Sequence, residues 1–210
     1  MRQRIRVSYR RTGDLRFLSQ LDVVRTVERS VRRSGLKVAF SEGFNPRVRL
    51  SFSPALPTGV EAGRAWFDVL MEEPVTSPEV RDRLAASLPA GFEVLEVAPP
   101  ETAGGALRPM VYEIRRADGA GAPIVRQTAE SLRPEDLSLP GLLGIAWRPE
   151  GIEIQMEPGA GGARLRAVLA ALGLAGPDAP PVVVRAALGD CALVDERTPD
   201  RSDGRSPRSD

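Results

Sequence analysis

Gln3-Arg4-Ile5-Arg6-Val7-Ser8-Tyr9-Arg10 alternates along its length, placing Ile5, Val7 and Tyr9 on one side of an extended chain and Arg4, Arg6, Ser8 and Arg10 on the other. A period of two specifies a strand with one face toward a core, and here the opposite face is basic. After the turn Thr12-Gly13-Asp14, Ser19 stands where a helix N-cap belongs, and Asp22 three residues on suits the positive end of a first turn. The series Leu21, Val24, Val27 and Val31 then recurs at helical spacing and is expected to be buried, with Gly35 as the C-terminal stop.

Further along, residues 37–40 and 47–52 read as strands around a loop at 41–46, and 65–71 as a third strand beyond the breakers Pro54, Pro57 and Gly59. A second helix is expected near Pro78, capped by Ser77 or its neighbour and closed by Gly91, before a strand at 92–97. This order is that of a β-α-β-β-α-β ferredoxin-like unit. A weaker repeat follows a Pro/Gly/Ala linker: a strand at 110–116, a helical or irregular segment at 124–132, a hairpin of 143–147 and 152–156, a helix at 163–172 and a strand at 182–186. The expected fold class is therefore α+β, a tandem of two ferredoxin-like halves at 1–98 and 108–194 joined by residues 99–107. Residues 195–210 have no apolar periodicity and are expected to be disordered.

Charge is distributed unevenly. The net charge of the 210-residue chain is +1, yet residues 1–52 hold 13 Lys and Arg against 4 Asp and Glu, and the remainder holds 16 against 24. A basic first quarter points to a polyanion or an acidic partner surface. Histidine is absent and Cys191 is the single cysteine, so the commonest general base and zinc ligand are missing, as are an intrachain disulfide and a multi-cysteine iron–sulfur site. No catalytic residue, metal site or cofactor is expected in this chain. With no apolar run of roughly 18 to 20 residues and no signal peptide at Met1-Arg2-Gln3-Arg4, the expectation is a cytoplasmic protein without membrane contact.

Two stretches concentrate the positive charge. On the first helix Arg25, Arg29, Arg32 and Arg33 form a stripe in which Glu28 can neutralise Arg32, and the alternative to a binding surface is an ordinary solvated face. In the loop, Ser41, Gly43, Phe44, Asn45 and Arg47, with Arg49 just beyond, combine a glycine free to take positive φ, an extended Asn45 before Pro46, an amide with donors and an acceptor, and two cations. Such a loop suits a phosphate or a base edge, with Phe44 able to stack. The alternative is a shaped turn with Phe44 in the core.

Gly13-Asp14-Leu15-Arg16-Phe17-Leu18-Ser19-Gln20-Leu21-Asp22, Ser41-Glu42-Gly43-Phe44-Asn45-Pro46-Arg47 and Leu56-Pro57-Thr58-Gly59-Val60 together resemble an uncharacterised bacterial family of radical-SAM-associated domains. The resemblance is specific over about residues 3 to 97 and looser to about 190. It implies a domain of unknown function often fused to, or encoded beside, a radical SAM protein, in gene neighbourhoods with ribosomal proteins and an RNase E/G-type enzyme. It implies no catalytic residues, and this chain carries no radical SAM module. Three functions follow as expectations. The first is an RNA-binding or RNA-presenting accessory, in a tRNA or rRNA processing or modification context, acting with a separately encoded radical SAM partner. The second is a protein-docking module for that partner without RNA contact. The third is an RNA-cleaving or RNA-modifying enzyme drawing on Asp14, Asp22, Glu42 or Asp68, whose spacing fixes neither a carboxylate pair nor a metal site.

Overall fold

The computed structural model describes residues 1–100, 109–117, 139–148, 151–158, 162–176, 179 and 181–188. The expected segment at 124–132, Cys191, most of the linker and the tail lie outside the described residues. Strand β1 (Gln3–Arg11) runs into a 3-10 turn (Gly13–Phe17) and helix α1 (Gln20–Arg33), then β2 (Leu50–Phe52), β3 (Val60–Met71), α2 (Ser77–Ser87) and β4 (Phe92–Ala98). Beyond these come β5 (Met110–Arg116), the hairpin β6 (Leu142–Arg148) and β7 (Gly151–Met156), α3 (Gly162–Ala171) and β8 (Val182–Leu188).

The eight strands among the described residues form one mixed sheet in the order β4-β1-β3-β8-β5-β7-β6, with β2 also paired to β3. The described architecture is thus mixed α/β, one large sheet with three α-helices among the described residues. The length of β3 explains the joining. Its second part pairs antiparallel with β2, Leu50 opposite Val69 and Phe52 opposite Phe67, and its first part, from Val60 to Arg64, pairs parallel with β8. The sequence pattern missed this because Glu61, Gly63 and Arg64 interrupt the apolar alternation, so the strand reads as starting only at Ala65.

Alternation in β1 places Ile5, Val7 and Tyr9 opposite Val69, Phe67 and Ala65 of β3, and all six are buried. One hydrophobic core continues from these residues through Tyr112, Ile114, Ile152 and Ile154 to Leu165 and Val168 of α3. Each fully buried side chain of this kind contributes about 1.5 to 3 kcal/mol.

Helix α1 begins and ends as its sequence requires. The Ser19 hydroxyl accepts from the Asp22 backbone N–H at 3.2 Å, and Gly35 follows the last turn with φ +69°. Its buried face is Val23, Val27, Ser30 and Val31, rotated from the expected stripe: Leu21 is 55% exposed and Val24 half-buried. Val27 and Val31 are common to both registers, and the short side chain of Ser30 completes the face that lies on the sheet. Helix α2 is capped by Thr76, whose hydroxyl accepts from the Glu79 N–H at 3.4 Å. Among the described residues no helix is long and apolar enough to cross a membrane.

Candidate functional site

The segment after α1 forms an incomplete hairpin. Phe40 pairs with Val48 and Val38 with Met71 as isolated bridges, so of the expected strands at 37–40 and 47–52 only residues 50–52 become regular. The tip is closed at its base by two bonds: the Ser41 N–H donates to the Arg47 carbonyl at 2.8 Å, and the Arg47 N–H donates to the Ser41 hydroxyl at 3.0 Å. Residues 42–46 between them are all exposed. Gly43 has φ +119° with open space where a Cβ would stand, and Phe44 is 106% exposed. That exposure removes the reading in which Phe44 packs in the core.

Arg32 ties this loop to α1. Its guanidinium donates to Glu28 at 3.0 Å and to the Pro46 carbonyl at 2.9 Å, and lies 5.2 Å above the Phe40 ring. Arg25 is exposed with Asp22 at 3.7 Å, a weak surface pair. Arg29 is exposed and, among the described residues, has neither an ion pair nor a hydrogen bond. Arg33 plays another part: it turns toward α2 and donates to the Ser87 carbonyl at 2.8 Å, while Arg83 of α2 donates to the Gly35 carbonyl at 3.1 Å. The two helices cap each other's C-terminal ends, and Arg33, still exposed, is engaged in this contact.

Arg47 and Arg49 are exposed on either side of buried Val48, and alternation therefore turns both away from the core. Neither has a side-chain partner among the described residues, nor does the Asn45 amide. The structure thus ties Arg32 to the loop from Ser41 to Arg47, with Arg29 and Arg25 one and two turns earlier on α1 and Arg49 continuing along the strand face. The part that sequence reading missed is Phe40, whose contact with Arg32 orients the loop; its place one residue before Ser41 is the signal that could have found it.

The other two resemblance-bearing stretches are scaffold. Gly13 N–H donates to Glu61 at 3.0 Å, and Gly59 N–H donates to the Arg16 carbonyl at 2.8 Å. Glu61 is buried and takes both Nε and a terminal nitrogen of Arg185, at 3.2 and 3.0 Å. Arg11 is buried beside them, bonding the Leu15 carbonyl and reaching the Val60 carbonyl at 3.5 Å, and desolvation lowers its pKa against the opposing effect of Tyr9.

The candidate acids are dispersed. Asp22 accepts from the Ser19 hydroxyl at 2.6 Å, and Asp68 is buried under a two-pronged contact from Arg6 at 2.7 and 3.0 Å, with Arg6 also 3.7 Å over Trp66. Asp14 and Glu42 lie exposed, one in the 3-10 turn and one in the loop. Among the described residues no three of His, Cys, Asp and Glu gather as a metal site.

No curated protein matches this sequence. Residues 4–135 match a bacterial family described as "Uncharacterized protein conserved in bacteria (DUF2344)", a description that names neither an activity nor a partner. The match takes in α1, the loop and the scaffold that carries them, and covers more than half of the chain. The protein accordingly belongs to this family of uncharacterised bacterial proteins.

Proposed function

We propose that this protein binds RNA through the outer face of α1 and the loop at 41–47. One observation carries the reading: Arg29, Arg47 and Arg49 lie exposed without acidic partners among the described residues, in a segment with a large excess of positive charge. Several arginines elsewhere instead meet carboxylates, as in Arg6 with Asp68, Arg10 with Glu93, Arg64 with Glu96, Arg148 with Glu153 and Arg185 with Glu61, while Arg2, Arg4, Arg81, Arg164 and Arg166 are exposed without an acidic partner among the described residues but lie outside α1 and the loop. Unneutralised cations gain the full counterion-release term when they meet phosphates.

The fuller reading is a cytoplasmic accessory that presents RNA to a separately encoded radical SAM protein. Its support is the sequence resemblance, together with a single cysteine that leaves any cluster chemistry to the partner. The strand orders support reading the sheet as two ferredoxin-like units. β4-β1-β3 with β2 beyond, and β8-β5-β7-β6, are the same arrangement of fourth, first, third and second strands. Docking on the partner without RNA is the competing reading.

The test is RNA affinity at low salt. Arg25→Glu with Arg29→Glu is expected to weaken binding by at least about tenfold without regard to RNA sequence, while stability changes by less than about 0.5 kcal/mol. Absence of affinity in the wild type would move the function to partner docking.

A further inference from the structure

We infer that the loop selects unpaired nucleotides, with Phe44 stacking on a nucleobase of single-stranded RNA; this rests on the RNA reading above and names its substrate class. The loop base is fixed by the paired bonds between Ser41 and Arg47 and by Arg32 holding the Pro46 carbonyl. The ring therefore stands off the protein on a supported tip, with open space around Gly43. A protein hot spot centres on a buried apolar patch with a polar rim. Here the neighbours along the tip are Glu42, Gly43, Asn45, Pro46 and Arg47, and the nearest large ring in sequence, Phe40, is overlain by Arg32. An isolated exposed ring on a loop that also carries a cation, Arg47, has the composition of a base-stacking site. The Asn45 amide adds two donors and an acceptor for a base edge.

Duplex RNA does not satisfy this site. Its bases are stacked on one another and its grooves present backbone and 2'-hydroxyls, so a ring at a loop tip reaches a base only in a single strand, bulge or loop. The cations of α1 contact phosphate in either form, and the discrimination falls on Phe44.

The experiment measures the affinity of the full chain for a labelled single-stranded RNA of about 12 nucleotides and for the same RNA annealed to its complement, at about 50 mM salt. The wild type is expected to prefer the single strand. Phe44→Ala should lower single-strand affinity roughly tenfold and leave duplex affinity unchanged, and Phe44→Trp should retain the preference, with the indole emission changing on binding. Equal affinity of the wild type for both forms overturns the inference while leaving RNA binding intact. So does undiminished single-strand affinity of Phe44→Ala, which would assign the ring to a protein contact. A wild type that binds neither RNA overturns the RNA reading itself, and the inference with it.

Discussion

Arg29 and Arg33 sit one helical turn apart, the first without a side-chain partner among the described residues and the second bonded to the Ser87 carbonyl. Arg29→Ala is expected to reduce RNA affinity while holding the unfolding free energy within about 0.5 kcal/mol of wild type. Arg33→Ala, which removes the bond to the Ser87 carbonyl, is expected to cost about 1 kcal/mol and leave RNA affinity unchanged. Chemical denaturation and RNA titration on both variants give the comparison. Within the loop, the exposure of Phe44 likewise sets an outcome: Phe44→Ala should cost far less than the roughly 3 to 5 kcal/mol of a buried ring. Spacing shows that Arg25, Arg29, Arg32 and Arg33 share the side of α1 away from the core, but it carries no record of the α2 carbonyl that Arg33 meets or the loop carbonyl that Arg32 meets.

At the scale of elements, α1 was legible in its ends and ambiguous in its rotation. Ser19 and Gly35 are local signals, read from one turn of chain. The choice between a stripe on Leu21 and Val24 and one on Val23 and Ser30 is made by the sheet beneath, because Val27 and Val31 serve both. Val27→Ala is therefore expected to destabilise by about 2 to 3 kcal/mol and Leu21→Ala by less than about 0.5, reversing what apolarity alone would assign to Leu21. Ser19→Ala, by freeing the Asp22 N–H, should cost about 1 kcal/mol. The hairpin beyond α1 was overread for a related reason: alternation at 47–52 gives the side-chain directions correctly, while regular pairing needs a partner strand, which β3 supplies only to Leu50–Phe52.

For the whole molecule, the joining of strands from both parts of the chain into one sheet rests on the Glu61–Arg185 pair and the parallel β3–β8 register, interactions between residues far apart in sequence that no local pattern encodes. The chain has two tyrosines, and burial pushes both Tyr9 and Tyr112 up to about 12, opposed at Tyr9 by the charge of Arg11. A raised folded-state pKa contributes stability that is full below the ordinary tyrosine value of about 10 and is lost as pH climbs toward about 12. Tyrosinate absorbance is therefore expected to stay low in the native protein near pH 10 and to rise together with the loss of secondary structure; early ionisation of either ring in folded protein would contradict the burial of this core.

The measurement that bears most directly on the central claim is the salt dependence of RNA affinity for the wild type and for the variant carrying Arg25→Glu, Arg29→Glu and Arg47→Glu. Phosphate neutralisation by these cations gives a logarithmic slope that falls by roughly 0.7 to 0.9 for each phosphate left without its arginine. The account expects a measurable affinity at about 50 mM salt, a steep wild-type slope, and a variant that is both weaker and shallower by the equivalent of about two to three phosphates. A variant with wild-type affinity and slope would show that RNA, if bound at all, meets another surface, and would contradict the assignment of α1 and the loop.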